Sequence, residues 1–251
     1  MTPRIQLCGA LTVEVEGQDV TAALPGRHGR ALLAFLALHP GRAIARDELI
    51  EALWEEHLPG APESALSSLL TGLRRVLGRD ALAGRSHIAL QLPAGSIDLE
   101  RAREASSEAE VALAAGSYDH ALAGARTALD LLSEPLLSEL DQRWAAAARL
   151  DAEQLRCDQL EVAARAALSV EPPELAAAER LAQELTEREP YRESGYALRM
   201  EALAAAGNVA EALRVYDRLR ILLREELGIA PSPAVQSVHR RLLGDTAATT
   251  V

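Results

Sequence analysis

Apolar positions in the stretch GNVAEALRVYDRLRILLREELG, residues 207–228, recur at the spacing of one long helix. Val209, Ala212, Leu213, Tyr216, Leu219, Leu222, Leu223 and Leu227 fall on one stripe, while Arg and Glu occupy the opposite face. Asn208 is placed to cap the helix start with a side-chain oxygen on a backbone N–H. Gly228, ahead of Pro231, is placed to end it in the left-handed conformation. So wide a stripe cannot be buried by one helix alone, so the pattern predicts helical neighbours.

The first hundred residues read differently. Between Arg4 and Val20, partial alternation of Val, Ile and Thr with turns at Gly9 and Gly17 predicts short antiparallel strands. ALLAFLAL, ending at Leu38 before Pro40–Gly41, is too continuously apolar for a surface helix and is read as a buried first helix. A second helix is expected from Arg46 to Trp54, with Leu49, Ile50, Leu53 and Trp54 inward. Pro59 to Pro62 separates it from a third, PESALSSLLTGLRRVLG. HIALQL, after Gly84–Arg85–Ser86, predicts a β-hairpin. Strands, three helices and a hairpin are the order of a winged helix-turn-helix, placed here at residues 1–97.

The third helix carries the candidate chemistry. Leu66, Leu69, Leu70, Leu73, Val76 and Leu77 form its inward stripe, leaving Ser64, Ser67, Ser68, Thr71, Arg74 and Arg75 open. Short hydroxyl side chains permit close approach to a surface, and the Arg pair can meet phosphates or a base edge. Arg85, near the hairpin turn, would reach from the wing. Arg27 and Arg30, at the start of the first helix, are read as phosphate contacts or solvated cations. A solvated amphipathic helix is the alternative reading of the same open face.

The second half is an all-helical stack, placed at residues 98–244. Asp98 opens an Ala-rich helix to Gly116, and Ser117 caps another running to about Leu132. A long helix follows from about Gln142 to Ser169, and one more starts after Pro172–Pro173 and ends before Pro190. AAGSYDHALAGA, residues 114–125, repeats as AAGNVAEALRVY, residues 205–216, matching Gly116 to Gly207 and Ala121–Leu122 to Ala212–Leu213. This helical hairpin resembles a tetratricopeptide repeat, although the aromatic near the start of the unit is Tyr196 in one copy and Ala105 in the other. Stacks of this kind offer a concave surface to a peptide or another domain.

Composition sharpens the picture in two places. Aromatics are 3% against 49% hydrophobic residues, which fits Ala- and Leu-rich helix packing and argues against an aromatic-rich sandwich or barrel. The net charge of −11 is unpromising for a nucleic-acid binder, but residues 1–100 hold 9 Arg against 12 acidic residues while residues 101–251 hold 17 against 25. The acidity therefore lies mainly in the second half. Cys8 and Cys157 are too far apart to be a metal pair, and no signal peptide or long apolar span is visible, which reads as a soluble cytoplasmic protein. The six histidines show no ligand spacing, and no cofactor or metal is expected. Gly26–Arg27–His28–Gly29–Arg30 lacks the Gly-Lys-Ser/Thr ending of a phosphate loop, and no nucleophile sits in a recognisable catalytic context, so an enzyme is not expected. A short polar tail, residues 245–251, closes the sequence, with no attached ATPase or sensor domain expected.

GNVAEALRVYDRLRILLREELGIAPSP, the preceding EREPYRESGYALRMEALAAAG, and DELIEALW and LRRVLG in the first half together resemble the Streptomyces antibiotic regulatory protein family. In that family a response-regulator (OmpR-type) winged helix precedes a bacterial transcriptional activator domain. The resemblance runs from Arg4 to about Leu243. It implies a transcription regulator, an activator by expectation, whose winged helix binds double-stranded promoter DNA at direct repeats. The helical domain is then expected to support a homodimer and engage RNA polymerase, with no membrane partner. The first half departs from the family pattern: Glu63, Ser64, Ser67, Ser68 and Gly72 stand where an Asn and several basic or amide residues are usual, Glu63 facing phosphate with the wrong sign. Ser86–His87–Ile88–Ala89 replaces the usual Gly-Tyr pair of the wing. These departures leave a second reading open, a helical-repeat protein-interaction adaptor with a degenerate winged helix that does not bind DNA.

Overall fold

A computed structural model describes the backbone of residues 3–55 and 57–248, and side chains through Gly244. Residues 249–251, the end of the predicted tail, lie outside the described residues, whereas the backbone of Asp245–Ala248 continues the last helix. The elements run β1 (Pro3–Gln6), β2 (Thr12–Val15), β3 (Gln18–Asp19), α1 (Gly26–Leu38), β4 (Ile44–Ala45), α2 (Arg46–Trp54), α3 (Pro62–Leu77), β5 (Leu82–Ala83) and β6 (His87–Leu90). Helices α4 (Asp98–Ala114), α5 (Tyr118–Leu131), α6 (Arg143–Ser169), α7 (Leu175–Arg188), α8 (Glu193–Ala205), α9 (Val209–Leu227) and α10 (Pro233–Ala248) follow. By packing the chain forms two compact units. One holds residues 1–104 and 130–154, the other residues 105–129 and 155–251. This partition is drawn on contacts and differs from the boundary after residue 97, which rests on sequence motifs.

In the first unit, β1, β2 and β3 form an antiparallel sheet in which Ile5 pairs with Val13 and Gln6 with Thr12. A second sheet has the order β4-β6-β5. Its central strand is the expected wing strand, with Ile44 opposite Ile88 and Leu82 opposite Leu90. The two-residue β4 was invisible to periodicity, being too short to show alternation. Leu32, Leu33 and Leu36 of α1, Leu49 of α2, and Leu66, Leu70 and Leu73 of α3 are fully buried and make the three-helix core. Helix α1 begins at Gly26, a turn earlier than its apolar run suggests, because Arg27 and His28 share its exposed first turn.

Pro25 wedges between α1 and α3. A Cβ added at Gly29 would lie 2.3 Å from Pro25 Cγ, and one at Gly72 would lie 3.0 Å from it. Gly72 thus serves packing, which accounts for its presence where the family pattern places a polar residue. Residues 130–154 complete this unit: Leu137 N–H donates to the Leu7 carbonyl at 2.8 Å, and Gly9 N–H donates to that of Pro135 at 3.0 Å. Trp144 also packs here, edge-on to Phe35 at 5.2 Å between ring centroids, with its indole N–H on the Ala52 carbonyl at 2.9 Å. Asp98 accepts the backbone N–H groups of Leu7 at 2.8 Å and Cys8 at 2.9 Å, pinning the start of α4 to the end of β1. Burial, reinforced by the Asp98 charge, pushes the Cys8 thiol up to about 12, so it behaves as a small core hydrophobe.

The second unit is helical throughout, and its core is largely alanine. Ala109, Ala121, Ala125, Ala163, Ala166 and Ala167 meet with Leu122, Val162 and Ala178. Small side chains let helix axes come close: a Cβ at Gly124 of α5 would be 3.1 Å from Ala109 Cβ of α4. That close crossing is what the α4–α5 hairpin has in place of an aromatic at position 105. The two hairpin turns have the same backbone. Gly116 and Gly207 have φ of 73° and 82°, and Ser117 and Asn208 each donate N–H to the carbonyl five residues earlier, Ala112 and Leu203, at 2.8 Å. Asn208, however, makes no side-chain cap, contrary to expectation. Gly228 does close α9 in the left-handed conformation, φ 68°.

Along α9 the buried residues are Ala212, Val215, Leu219 and Leu223, packed with Met200, Leu203, Val235, Val238 and Leu242. The stripe is narrower than expected and passes through Val215, while Leu227 is 51% exposed because the helix ends beside it. Tyr216 instead stacks on His239 of α10 with ring centroids 3.8 Å apart.

Glu161 of α6 anchors the start of α8. It receives hydrogen bonds from Ser194 Oγ at 2.7 Å and Arg165 Nη2 at 2.6 Å and pairs with Arg192 at 2.7 Å. Burial alone would raise its pKa, but the Ser194 hydroxyl and the two guanidiniums outweigh burial and hold it below the usual value of 4.5. A depressed carboxylate stabilises the fold above its unfolded pKa, and that contribution fades as the pH falls through the folded value. Glu161→Gln is therefore expected to flatten the decline of the urea midpoint as the pH falls below 4.5. An unchanged decline would remove Glu161 from the acid response.

Candidate nucleic-acid interface

The expected recognition helix, α3, is amphipathic because leucines recur every three or four residues. Leu66, Leu70, Leu73 and Leu77 lie inward, and the residues between them are left to solvent. Ser64, Ser67, Ser68, Thr71 and Arg75 are exposed, as is Arg85 in the turn between β5 and β6, whereas Arg74 is half-buried. The structure sorts these residues into two files.

The inner file is already engaged within the protein. Ser67 Oγ donates to the Glu63 carbonyl at 2.8 Å and accepts from Arg46 Nη2 at 2.8 Å. Arg74 Nη2 donates to the Gly84 carbonyl at 3.3 Å and reaches that of Leu82 at 3.5 Å, fastening the helix to the wing strand. Arg74 therefore also fastens the wing to α3, a contact that the sequence did not show. Arg27 is likewise occupied, in an ion pair with Asp141 at 2.6 Å.

The outer file is Ser64, Ser68, Thr71 and Arg75, spaced by four, three and four residues along one helical face. Ser68 Oγ donates to the Ser64 carbonyl at 3.0 Å and Thr71 Oγ1 to the Ser67 carbonyl at 2.8 Å. The side chains of Arg75, Arg85 and also Arg79, in the turn after α3, form no hydrogen bond or ion pair among the described residues. They are exposed cations whose charge is uncommitted.

Arg46 is the residue that sequence reasoning missed. From the first position of α2 its Nε donates to Glu63 Oε2 at 2.7 Å and its Nη2 to the Glu63 carbonyl at 3.2 Å, while its own N–H reaches the Ser86 carbonyl at 3.3 Å. One residue thus joins α2, the start of α3 and the wing turn. The only signal in the sequence was a cation in the first turn of a helix, where the macrodipole disfavours it. Glu63, which seemed to face DNA with the wrong sign, is the counter-ion of Arg46. Glu63→Gln keeps a hydrogen-bond acceptor while releasing that charge, so it is expected to strengthen DNA binding roughly 3- to 10-fold and steepen its salt dependence by about one unit. Unchanged or weaker affinity by fluorescence anisotropy would show that the Arg46–Glu63 pair is purely structural.

A model of the bacterial transcriptional activator domain matches residues 97–243, and one of the C-terminal domain of transcriptional regulatory proteins matches residues 24–90. Regulatory protein AfsR of Streptomyces coelicolor is 35% identical over 244 residues, covering 96% of this chain and 24% of AfsR. Regulatory protein DnrI of Streptomyces peucetius is 26% identical over 257 residues, covering 96% of this chain and 92% of DnrI. The chain thus spans about a quarter of the length of AfsR and nearly all of DnrI. The solved structure of Mycobacterium tuberculosis EmbR in complex with a low affinity phosphopeptide superposes with a TM-score of 0.88 at 25% identity, covering 97% of this chain and 65% of that one. Together with the winged helix and helical stack described above, these matches place the chain in the bacterial transcriptional activator domain family, in the arrangement of the Streptomyces antibiotic regulatory proteins.

Proposed function

We propose that this chain is a DNA-binding transcription activator whose α3 enters the major groove while the β5–β6 turn contacts the flanking backbone. The observation that carries the reading is the outer file of α3: three short hydroxyl residues and Arg75 on one exposed face, joined to the wing through Arg74 and Arg46. Short side chains let the helix approach base edges, and the uncommitted cations Arg75, Arg79 and Arg85 supply the phosphate attraction. The relatives AfsR and DnrI, both regulatory proteins, point the same way. Residues 101–251, which hold 17 Arg against 25 acidic residues, are suited to a protein partner, and RNA polymerase and a second copy of the chain are the partners proposed for the helical domain. Among the described residues no helix is long and apolar enough to cross a membrane. A cytoplasmic location and a non-enzymatic role complete the proposal.

Fluorescence anisotropy with duplex DNA from upstream of the chain's own operon, at two salt concentrations, tests this reading. Three neutralised phosphates per protomer give an expected slope of about −3 in log K against log salt. Absence of salt-dependent binding at micromolar protein overturns it and favours the adaptor reading, in which the winged helix serves protein contact alone.

A further inference from the structure

The hydroxyl groups of α3 differ in what they still have to offer a base edge. Ser67 has spent its proton on the Glu63 carbonyl and takes a guanidinium N–H from Arg46. Ser68 and Thr71 have spent their protons on the carbonyls of Ser64 and Ser67 but accept no hydrogen bond among the described residues, and both are exposed. A hydroxyl oxygen carries one proton and two acceptor lone pairs, so Ser68 and Thr71 face outward as acceptors only. In the major groove the donors are the exocyclic amino groups, N6 of adenine and N4 of cytosine, whereas guanine O6 and thymine O4 are acceptors.

We propose that Ser68 and Thr71 are specificity-determining residues that accept hydrogen bonds from exocyclic amino groups, selecting adenine over guanine or cytosine over thymine at the base each one meets. The inference rests on the DNA-binding reading given above. A thymine or guanine edge at either position would set two acceptors face to face, and relieving that requires the hydroxyl to turn and abandon its helix carbonyl. Three residues apart on a helix, the two oxygens are separated by about 4.5 Å along the axis, which suits neighbouring bases.

The test begins with selection of duplexes from a random library by the full chain. Base analogues are then placed in the selected site, with 2-aminopurine moving the adenine amino group to the minor groove and pyrimidin-2-one removing that of cytosine. The wild type is expected to lose about 3- to 10-fold in affinity at two neighbouring positions, the worth of an ordinary hydrogen bond. Ser68→Ala is expected to abolish the loss at one position and Thr71→Val at the other, while Ser67→Ala leaves both in place. All three sites are exposed, and circular dichroism checks that each variant is folded. Wild-type tolerance of the analogues throughout the site, or a loss that persists in both variants, overturns the acceptor reading while leaving salt-dependent DNA binding intact. Absence of salt-dependent binding to any duplex overturns the DNA-binding reading itself and this inference with it.

Discussion

Replacing Arg75 and Arg85 together by Ala is expected to weaken DNA binding about 100-fold, each cation contributing roughly the tenfold typical of a phosphate or base contact. Where both guanidiniums meet phosphate, the salt slope falls by about two units. The expectation depends on the state of these residues in the folded protein: both are exposed and neither is paired with an acidic group among the described residues. Arg27→Ala provides the contrast. Its guanidinium already pairs with Asp141, so its loss is expected to change affinity less than threefold, because a pair so exposed carries little net charge to offer. Anisotropy titrations of both variants beside the wild type decide the matter. Equal losses for Arg27→Ala and the double variant would mean that uncommitted charge does not mark the DNA face.

Gly84→Ala is expected to cost more in binding than any other single small substitution in the first unit, although it removes no polar group. Gly84 sits at φ 89°, and an added Cβ would fall 1.9 Å from the backbone oxygen of His87. Neither atom can move without opening the β5–β6 turn, so the pairing of Ala83 with Ala89 is lost and the carbonyl acceptors of Arg74 are displaced. A strained left-handed conformation alone costs about 1–3 kcal/mol in a non-glycine residue, and the clash adds to it. The expected outcome is a lower urea midpoint together with at least tenfold weaker DNA binding by anisotropy, roughly the worth of one contact from the wing. Gly17→Ala separates conformational strain from the clash, since φ there is 79° with no atom within 4 Å of the added Cβ. It is expected to lower the midpoint modestly and leave DNA binding unchanged. If Gly84→Ala behaves like Gly17→Ala, the wing turn tolerates rearrangement and contributes little to the interface.

Both predictions bear on one principle, that the proposed binding surface is held in place by contacts within the protein. Ser67, Arg74 and Arg46 spend their hydrogen bonds fixing α3 against α2 and the wing. Ser64, Ser68, Thr71 and Arg75 remain directed outward on the rigid face so produced.

Much of this was legible in the sequence. Leucine periodicity placed α3 and its open face, the Gly-rich turns placed the wing and both helical hairpins, and Gly228 marked the end of α9 through its left-handed backbone. These are local properties, set by spacing of three to four residues or by the conformation available to a single glycine. Partners brought from afar were not legible. Nothing in the spacing of Arg46 and Glu63, seventeen residues apart, announces an ion pair. Likewise the position of Trp144, far along the chain, does not announce a place against Phe35. Asn208 looked like a cap and is none, because the turn before it is closed by backbone hydrogen bonds alone.

The sequence by itself therefore determined most of the helices, the leucine face that α3 turns inward, and the order that identifies a winged helix followed by a helical repeat. Only the tertiary structure decided which of the exposed polar residues are free to act. Periodicity assigns a residue to a face, but whether its charge or proton is already spent depends on groups that folding alone brings within about 3 Å, the reach of a hydrogen bond.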